Sequence, residues 1–187
     1  MKEDISFAHK VLRQGGVILY PTDTVWGIGC DATNEKAVQR IYQIKHREDS
    51  KSMLVLIDAP GRLYQYVNQV PDIAWDIIDA SESPVTIIYP DVKNLAAGII
   101  ADDHTAGIRI VKDRFCRQLI QHLKKPIVST SANISGESAP QLFGEISSKI
   151  KESVDYIVKY RQDDLIPRKP SGIIKLGING EVKVIRE

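Results

Sequence analysis

The chain has 187 residues, 43% of them hydrophobic and 26% charged, with a net charge of +1. That length supports one well-buried domain, read here as residues 1–187, and the composition excludes a disordered tail as the main feature. The near-zero charge excludes a protein that is basic throughout, so any affinity for nucleotide or RNA has to come from a local patch.

Taken in chain order, Asp4 stands where it can cap a helix with the apolar face Ile5, Ala8, Val11 and Leu12, and Gly15-Gly16 supplies the stop. Residues 17–20, Val-Ile-Leu-Tyr, read as a buried strand. It breaks at Pro21 into a polar loop, Thr22 to Gly29, whose two glycines free the backbone for close approach. From Thr33 or Asn34 a helix carries Ala37, Val38, Ile41 and Ile44 at helical spacing into the charged run Lys45 to Lys51. A strand is predicted over Met53 to Ile57, helical turns over Arg62 to Val67 and Pro71 to Ala80, and another strand over Pro84 to Tyr89. Asp91 to Thr105 has no clear period and is predicted as a surface loop.

Gly107 to Val111 returns to strand, and a helix follows from Asp113 with Phe115, Leu119, Ile120 and Leu123 on one face. Ile127-Val128 then reads as a buried strand running into Ser129, Thr130, Ser131, Asn133 and Ser135. Such a loop of hydroxyls suits an anion, although a serine-rich turn has the same composition. Ser138 is placed to cap a helix with Leu142, Phe143, Ile146 and Ile150, Tyr156 to Val158 is a short strand, and Arg161 to Pro170 is an exposed connection. Two strands, Gly172 to Leu176 and Glu181 to Arg186, flank Asn179-Gly180, the strongest hairpin signal in the chain. Alternating strands and helices with a hairpin predict an α/β (α+β) fold, a mixed sheet covered by helices.

Lys45, Arg47 and Lys51 are spaced to present three cations to a polyphosphate, against the plainer reading of a solvated face interleaved with Glu48 and Asp49. Arg109 inside an apolar strand faces a ligand or pairs with an internal carboxylate. No phosphate-binding glycine loop, dinucleotide fingerprint or nucleophile elbow is present. The four histidines share no ligand spacing with Cys30 and Cys116, so no protein-held metal is expected, and two distant cysteines point to a reducing compartment. No apolar run approaches the roughly 20 residues of a membrane span, and residues 1–9 form no apolar leader, so a cytoplasmic location is expected.

Residues 21–29 (Pro-Thr-Asp-Thr-Val-Trp-Gly-Ile-Gly), Lys45-x-Arg47, Gly107-Ile108-Arg109 and residues 129–136 (Ser-Thr-Ser-Ala-Asn-Ile-Ser-Gly), in this order, resemble the YrdC-like family of threonylcarbamoyl-AMP synthases. The resemblance implies a single YrdC-like domain with a twisted mixed sheet and a basic concave face. It implies an enzyme that makes threonylcarbamoyl-AMP and pyrophosphate from L-threonine, bicarbonate and ATP, a nucleotidyltransferase serving the modification of adenosine 37 in tRNA. By matching position, Thr24, Arg109, Ser129 and Ser171 would hold threonine. Lys45, Arg47, Lys51, Thr105, Ser131, Asn133 and Arg186 would address ATP, with Lys45, Arg47 and Arg109 nearest the chemistry. Mg2+ would accompany ATP. Further partners are tRNA or double-stranded RNA and a downstream threonylcarbamoyl-transfer complex. The chain differs from the family pattern at Glu48-Asp49, Ser83 and Gly172. Two other functions fit parts of the pattern, a non-catalytic RNA-binding module and a carbamoyl-adenylate-forming domain.

Overall fold

The structure, a computed structural model, describes residues 1–46 and 53–187. Among the described residues nine strands form one mixed sheet: β1 (Ile18–Tyr20), β2 (Gly27–Gly29), β3 (Leu54–Ile57), β4 (Val85–Tyr89), β5 (Ala106–Ile110), β6 (Ile127–Ser131), β7 (Tyr156–Ile157), β8 (Gly172–Leu176) and β9 (Val182–Arg186). Their order is β7-β1-β2-β6-β3-β5-β4-β8-β9. The β1–β7, β3–β5 and β4–β8 pairs are parallel and the remaining five antiparallel. The helices are α1 (Lys2–Arg13), α2 (Glu35–Lys45), α3 (Ile73–Ala80), α4 (Arg114–Leu123) and α5 (Ser148–Ser153).

Because strand side chains alternate between faces, each inner strand serves two environments. Ile28, Val55, Ile87, Ile108 and Val128 point into the larger core, where they meet Val38 and Ile41 of α2, Ala74 of α3 and Ile150 of α5. On the opposite face Leu56, Ile127 and Val111 pack against Ala8 and Leu12 of α1 and Phe115, Leu119 and Ile120 of α4. That pair of helices covers only one end of the face. Continuing along the same strands, Leu54, Gly107, Ser129 and Ser131 line a cleft instead.

Local signals set most element ends. The Asn34 side chain accepts from the Ala37 N–H at 3.2 Å and Asp113 from the Cys116 N–H at 2.9 Å, so both helices start where a capping side chain stands. Gly180, at φ +85°, turns the β8–β9 hairpin. Other expectations change. Asp4 lies within the first turn of α1 rather than capping it, and accepts from the Tyr156 hydroxyl and the Lys159 N–H, each at 2.8 Å. The Arg62–Val67 turn is a tighter 3-10 turn over Pro60–Gln65. The helix expected from Ser138 is replaced by a turn at Phe143–Glu145 and the short α5. Glu145 folds back to accept from the N–H groups of Gln141 and Leu142, and Ser147 makes a new cap, so the chain restarts rather than continues.

The end of the predicted polar loop is strand β2, and its glycines have a steric cause. A Cβ on Gly29 would stand 2.3 Å from the Val128 carbonyl oxygen and 2.7 Å from the Tyr20 ring. On Gly27 it would stand 3.1 Å from the Ser129 hydroxyl. The glycines make room for neighbouring protein groups at the sheet centre.

Candidate functional site

A cleft of about 270 Å³ opens at the helix-free end of the sheet, floored by β2, β3, β4, β5, β6 and β8 and closed on one side by β9. Its polar lining comes from Thr24, Thr86, Arg109, Ser129, Thr130, Ser131, Ser171 and Arg186, and its apolar lining includes Trp26, Leu54, Ile88 and Ile173. No carboxylate is among the described lining residues. Six residues expected at the site, Thr24, Arg109, Ser129, Ser131, Ser171 and Arg186, are thus brought to one place from positions up to 162 apart in sequence.

Arg109 sits on β5 with only 3% of its surface exposed, and its Nη2 lies 3.1 Å from Asp23 Oδ1. Arg109 thus has an internal carboxylate partner and also lines the cleft. The pairing is a charge contact rather than an aligned hydrogen bond, since Asp23 Oδ1 has no donor of suitable geometry, and Arg109 Nε is buried without any acceptor. A buried guanidinium edge with no partner is costly unless a ligand completes it. Across the cleft, Arg186 donates through Nε and Nη2 to the Ser171 carbonyl at 2.9 and 2.7 Å. Burial lowers the guanidinium pKa of Arg186, and the charge of Arg109 lowers it further, so the two cations act on one volume. An anion is the ligand such a volume stabilises.

The hydroxyls have assigned directions. Thr22 Oγ1 donates to the Val25 carbonyl at 2.9 Å and accepts from the Thr24 N–H at 3.0 Å. Its one proton is then used, so in the 3.0 Å contact between the two hydroxyls Thr24 donates and keeps its lone pairs for a ligand. Thr24 is thereby an acceptor suited to an ammonium group. Thr86 and Ser171 share a buried 2.8 Å hydroxyl pair, in which one proton remains for a ligand oxygen. Tyr20, whose phenol burial raises far above its ordinary pKa, donates to the Val128 carbonyl at 3.0 Å and backs Ser129.

The remaining expected residues lie elsewhere. Lys45 is 1% exposed and sends its ammonium to the carbonyls of Ser131 and Asn133, while the Ser135 N–H returns to the Lys45 carbonyl at 2.8 Å. Lys45 therefore ties the end of α2 to the hydroxyl loop and does not line the cleft. The Asn133 amide donates to the carbonyls of Ile134 and Glu137, and its Oδ1 is buried without a donor. Thr105 precedes β5 and donates to Asp103 at 2.7 Å, away from the cleft lining. Arg47, Lys51 and the Glu48-Asp49 difference lie outside the described residues. Burial pushes the thiols of Cys30 and Cys116 up, which keeps both protonated and weakly nucleophilic.

Thr86 and Asp23 were not among the expected site residues. A threonine in a strand pattern is ordinary, and only its register beside Ile173 and the Ser171 contact bring it to the floor. Asp23 had a signal, its place inside residues 21–29, but no feature that separates a ligand contact from a support. Among the described residues no group of three His, Cys, Asp or Glu side chains gathers to hold a metal ion. No described helix is long and apolar enough to cross a membrane.

A family model named Sua5/YciO/YrdC and described as telomere recombination matches residues 10–187. Threonylcarbamoyl-AMP synthase of Pseudoalteromonas translucida is 34% identical over 181 residues, which are 95% of either chain. The crystal structure of E. coli YciO matches all of this chain and 90% of its own at a TM-score of 0.86 and 25% identity. P. abyssi Sua5, solved in complex with L-threonine, shares the fold at a TM-score of 0.82 and 24% identity, and this chain spans 50% of that one. The mixed sheet with flanking helices is thus the fold of these proteins, and this chain belongs to the Sua5/YciO/YrdC family.

Proposed function

We propose that this protein is an enzyme of the transferase class, an L-threonylcarbamoyladenylate synthase that joins L-threonine, bicarbonate and ATP into threonylcarbamoyl-AMP with release of pyrophosphate. The name of the P. translucida relative supports the reaction. The observation that carries it is Arg109, a cation 97% buried that lines a cleft free of described carboxylates.

In this reading the threonine carboxylate completes Arg109, and its amine meets the lone pairs of Thr24. Ser129, with the Thr86–Ser171 pair, addresses the remaining oxygens. The ammonium first gives a proton to solvent. The free amine captures bicarbonate with loss of water, or carbon dioxide with loss of a second proton, and the resulting carbamate oxygen attacks the α-phosphorus as pyrophosphate leaves. That nucleophile is already an anion, so alignment and charge neutralisation matter more than a protein base, which fits a site whose described lining has hydroxyls and guanidinium groups and no histidine. Arg186 and Ser131 face the nucleotide, and Arg47 and Lys51 keep the phosphate role their motif implies, with Thr105 and Asn133 at its periphery. Lys45 acts through the loop it holds. Mg2+ enters as part of the ATP substrate, on the phosphate oxygens. The adenylate then passes to a transfer complex that modifies tRNA in the cytoplasm.

Arg109→Ala tests the reading. Adenylate formation should fall about a hundredfold, on the order of 3 kcal/mol of transition-state stabilisation. A rate within about threefold of wild type would remove Arg109 from the site and the proposal with it.

A further inference from the structure

Asp23 lies between Thr22 and Thr24, yet its carboxylate turns away from both hydroxyls. Oδ1 stands 3.1 Å from Nη2 of Arg109, and Oδ2 accepts from the backbone N–H of Lys112 at 3.0 Å. Lys112 follows β5, the strand that carries Arg109, so one stretch of chain holds the carboxylate and its cationic partner in fixed relation. A free carboxylate prefers two parallel N–H groups of a guanidinium. Here the Lys112 N–H keeps one oxygen occupied, and Asp23 meets a single nitrogen. The Nε edge stays buried and unpaired. The Asp23 side chain is only 10% exposed and does not line the cleft, so its charge reaches the ligand through the arginine.

We propose that Asp23 is a positioning residue for substrate recognition. It supplies the counter-charge that lets Arg109 be buried in the cleft wall, and it pins the guanidinium by Nη2, which fixes where the arginine meets an incoming carboxylate. The inference rests on the reading that Arg109 takes the amino-acid carboxylate. The Arg62–Asp58 pair has the same single-nitrogen contact, but its arginine lies outside the cleft whereas Arg109 lines it. A purely structural ion pair would leave L-threonine affinity unchanged on loss of the Asp23 charge.

Calorimetric binding of L-threonine and, separately, of ATP to the intact protein tests it. Asp23→Asn keeps the size and can still accept from Lys112 while removing the charge, and it should weaken L-threonine binding about tenfold with ATP binding changed less than about twofold. Arg109→Lys should weaken L-threonine binding as well, and the double variant should bind no worse than Arg109→Lys alone, because Asp23 acts only through that arginine. L-threonine affinity unchanged in Asp23→Asn, or threonine and ATP affinities lost in equal measure, overturns the inference. If Asp23→Asn does not fold, Asp23→Glu carries the test, since it keeps the charge but shifts the oxygens: selective loss of threonine binding supports positioning, and no change refutes it. A normal L-threonine affinity in Arg109→Lys would instead strike at the reading of the site itself, so the two failures are distinguishable.

Discussion

At the scale of single residues, burial and bond direction separate roles that spacing leaves together. Lys45 and Arg109 are both cations expected at the substrate, yet the Lys45 ammonium goes to two loop carbonyls and Arg109 lines the cleft beside Asp23. Lys45→Met should therefore lower stability by about 2–3 kcal/mol in denaturant unfolding, the range for hydrogen bonds from a charged donor to buried acceptors. An unchanged midpoint would free Lys45 from its loop. Arg109 was legible because an arginine in an apolar strand demands an explanation, whereas Thr86 stands in an ordinary strand pattern, and the family difference beside it, at Ser83, assigned it no site role. Glycines divide in the same way. Gly29→Ala forces a methyl onto the Val128 carbonyl and should cost about 3 kcal/mol or abolish soluble expression. Gly61→Ala, with nothing within 4 Å of the added carbon, should stay within about 0.5 kcal/mol.

At the scale of elements, those with a cap and an amphipathic face were readable and those fixed by distant partners were not. Asn34 and Asp113 mark the starts of α2 and α4 within the local sequence. Asp4 offered the same signal but is claimed by Tyr156 and Lys159, more than 150 residues away, and no local rule contains that contact. Asp155 is likewise claimed by Arg40 and by the Val17 N–H, and joins β7 to β1 and α2. Burial alone would raise both carboxyls. Hydrogen bonds from Lys159 and Tyr156 to Asp4, and from Arg40 and Val17 to Asp155, outweigh it and hold both below the ordinary carboxylate value. A group whose folded pKa is depressed stabilises the fold above its unfolded value, about 4, and loses that contribution as pH falls through the folded value. Wild type should thus lose stability on acidification below about pH 4, and Asp4→Asn should show a shallower loss over the same range. Parallel unfolding curves for the two proteins from pH 5 to pH 2 would contradict the assignment; that window is about where carboxyls titrate.

At the scale of the whole molecule, function follows from one sheet face shared between two tenants. α1 and α4 cover the end bearing Leu56 and Ile127, and the same strands carry Ser129, Ser131 and Gly107 onward into an open cleft. The mixed sheet was legible from alternating patterns and the Asn179-Gly180 hairpin. Its order was not, because nothing local places β6 between β2 and β3 or sends β8 alongside β4. That order unites Thr24, Arg109, Ser129 and Ser171, and within the sequence only the family resemblance, through separated motifs and the matched position of Ser171, anticipated it. It also makes a basic site in a protein of net charge +1, by setting Arg109 and Arg186 on one volume rather than by composition. The central claim is that this volume joins threonine to AMP, and pyrophosphate release from ATP tests it most directly, with L-threonine and bicarbonate supplied or withheld one at a time. Release should require both. Release that continues unchanged without L-threonine would contradict the assignment.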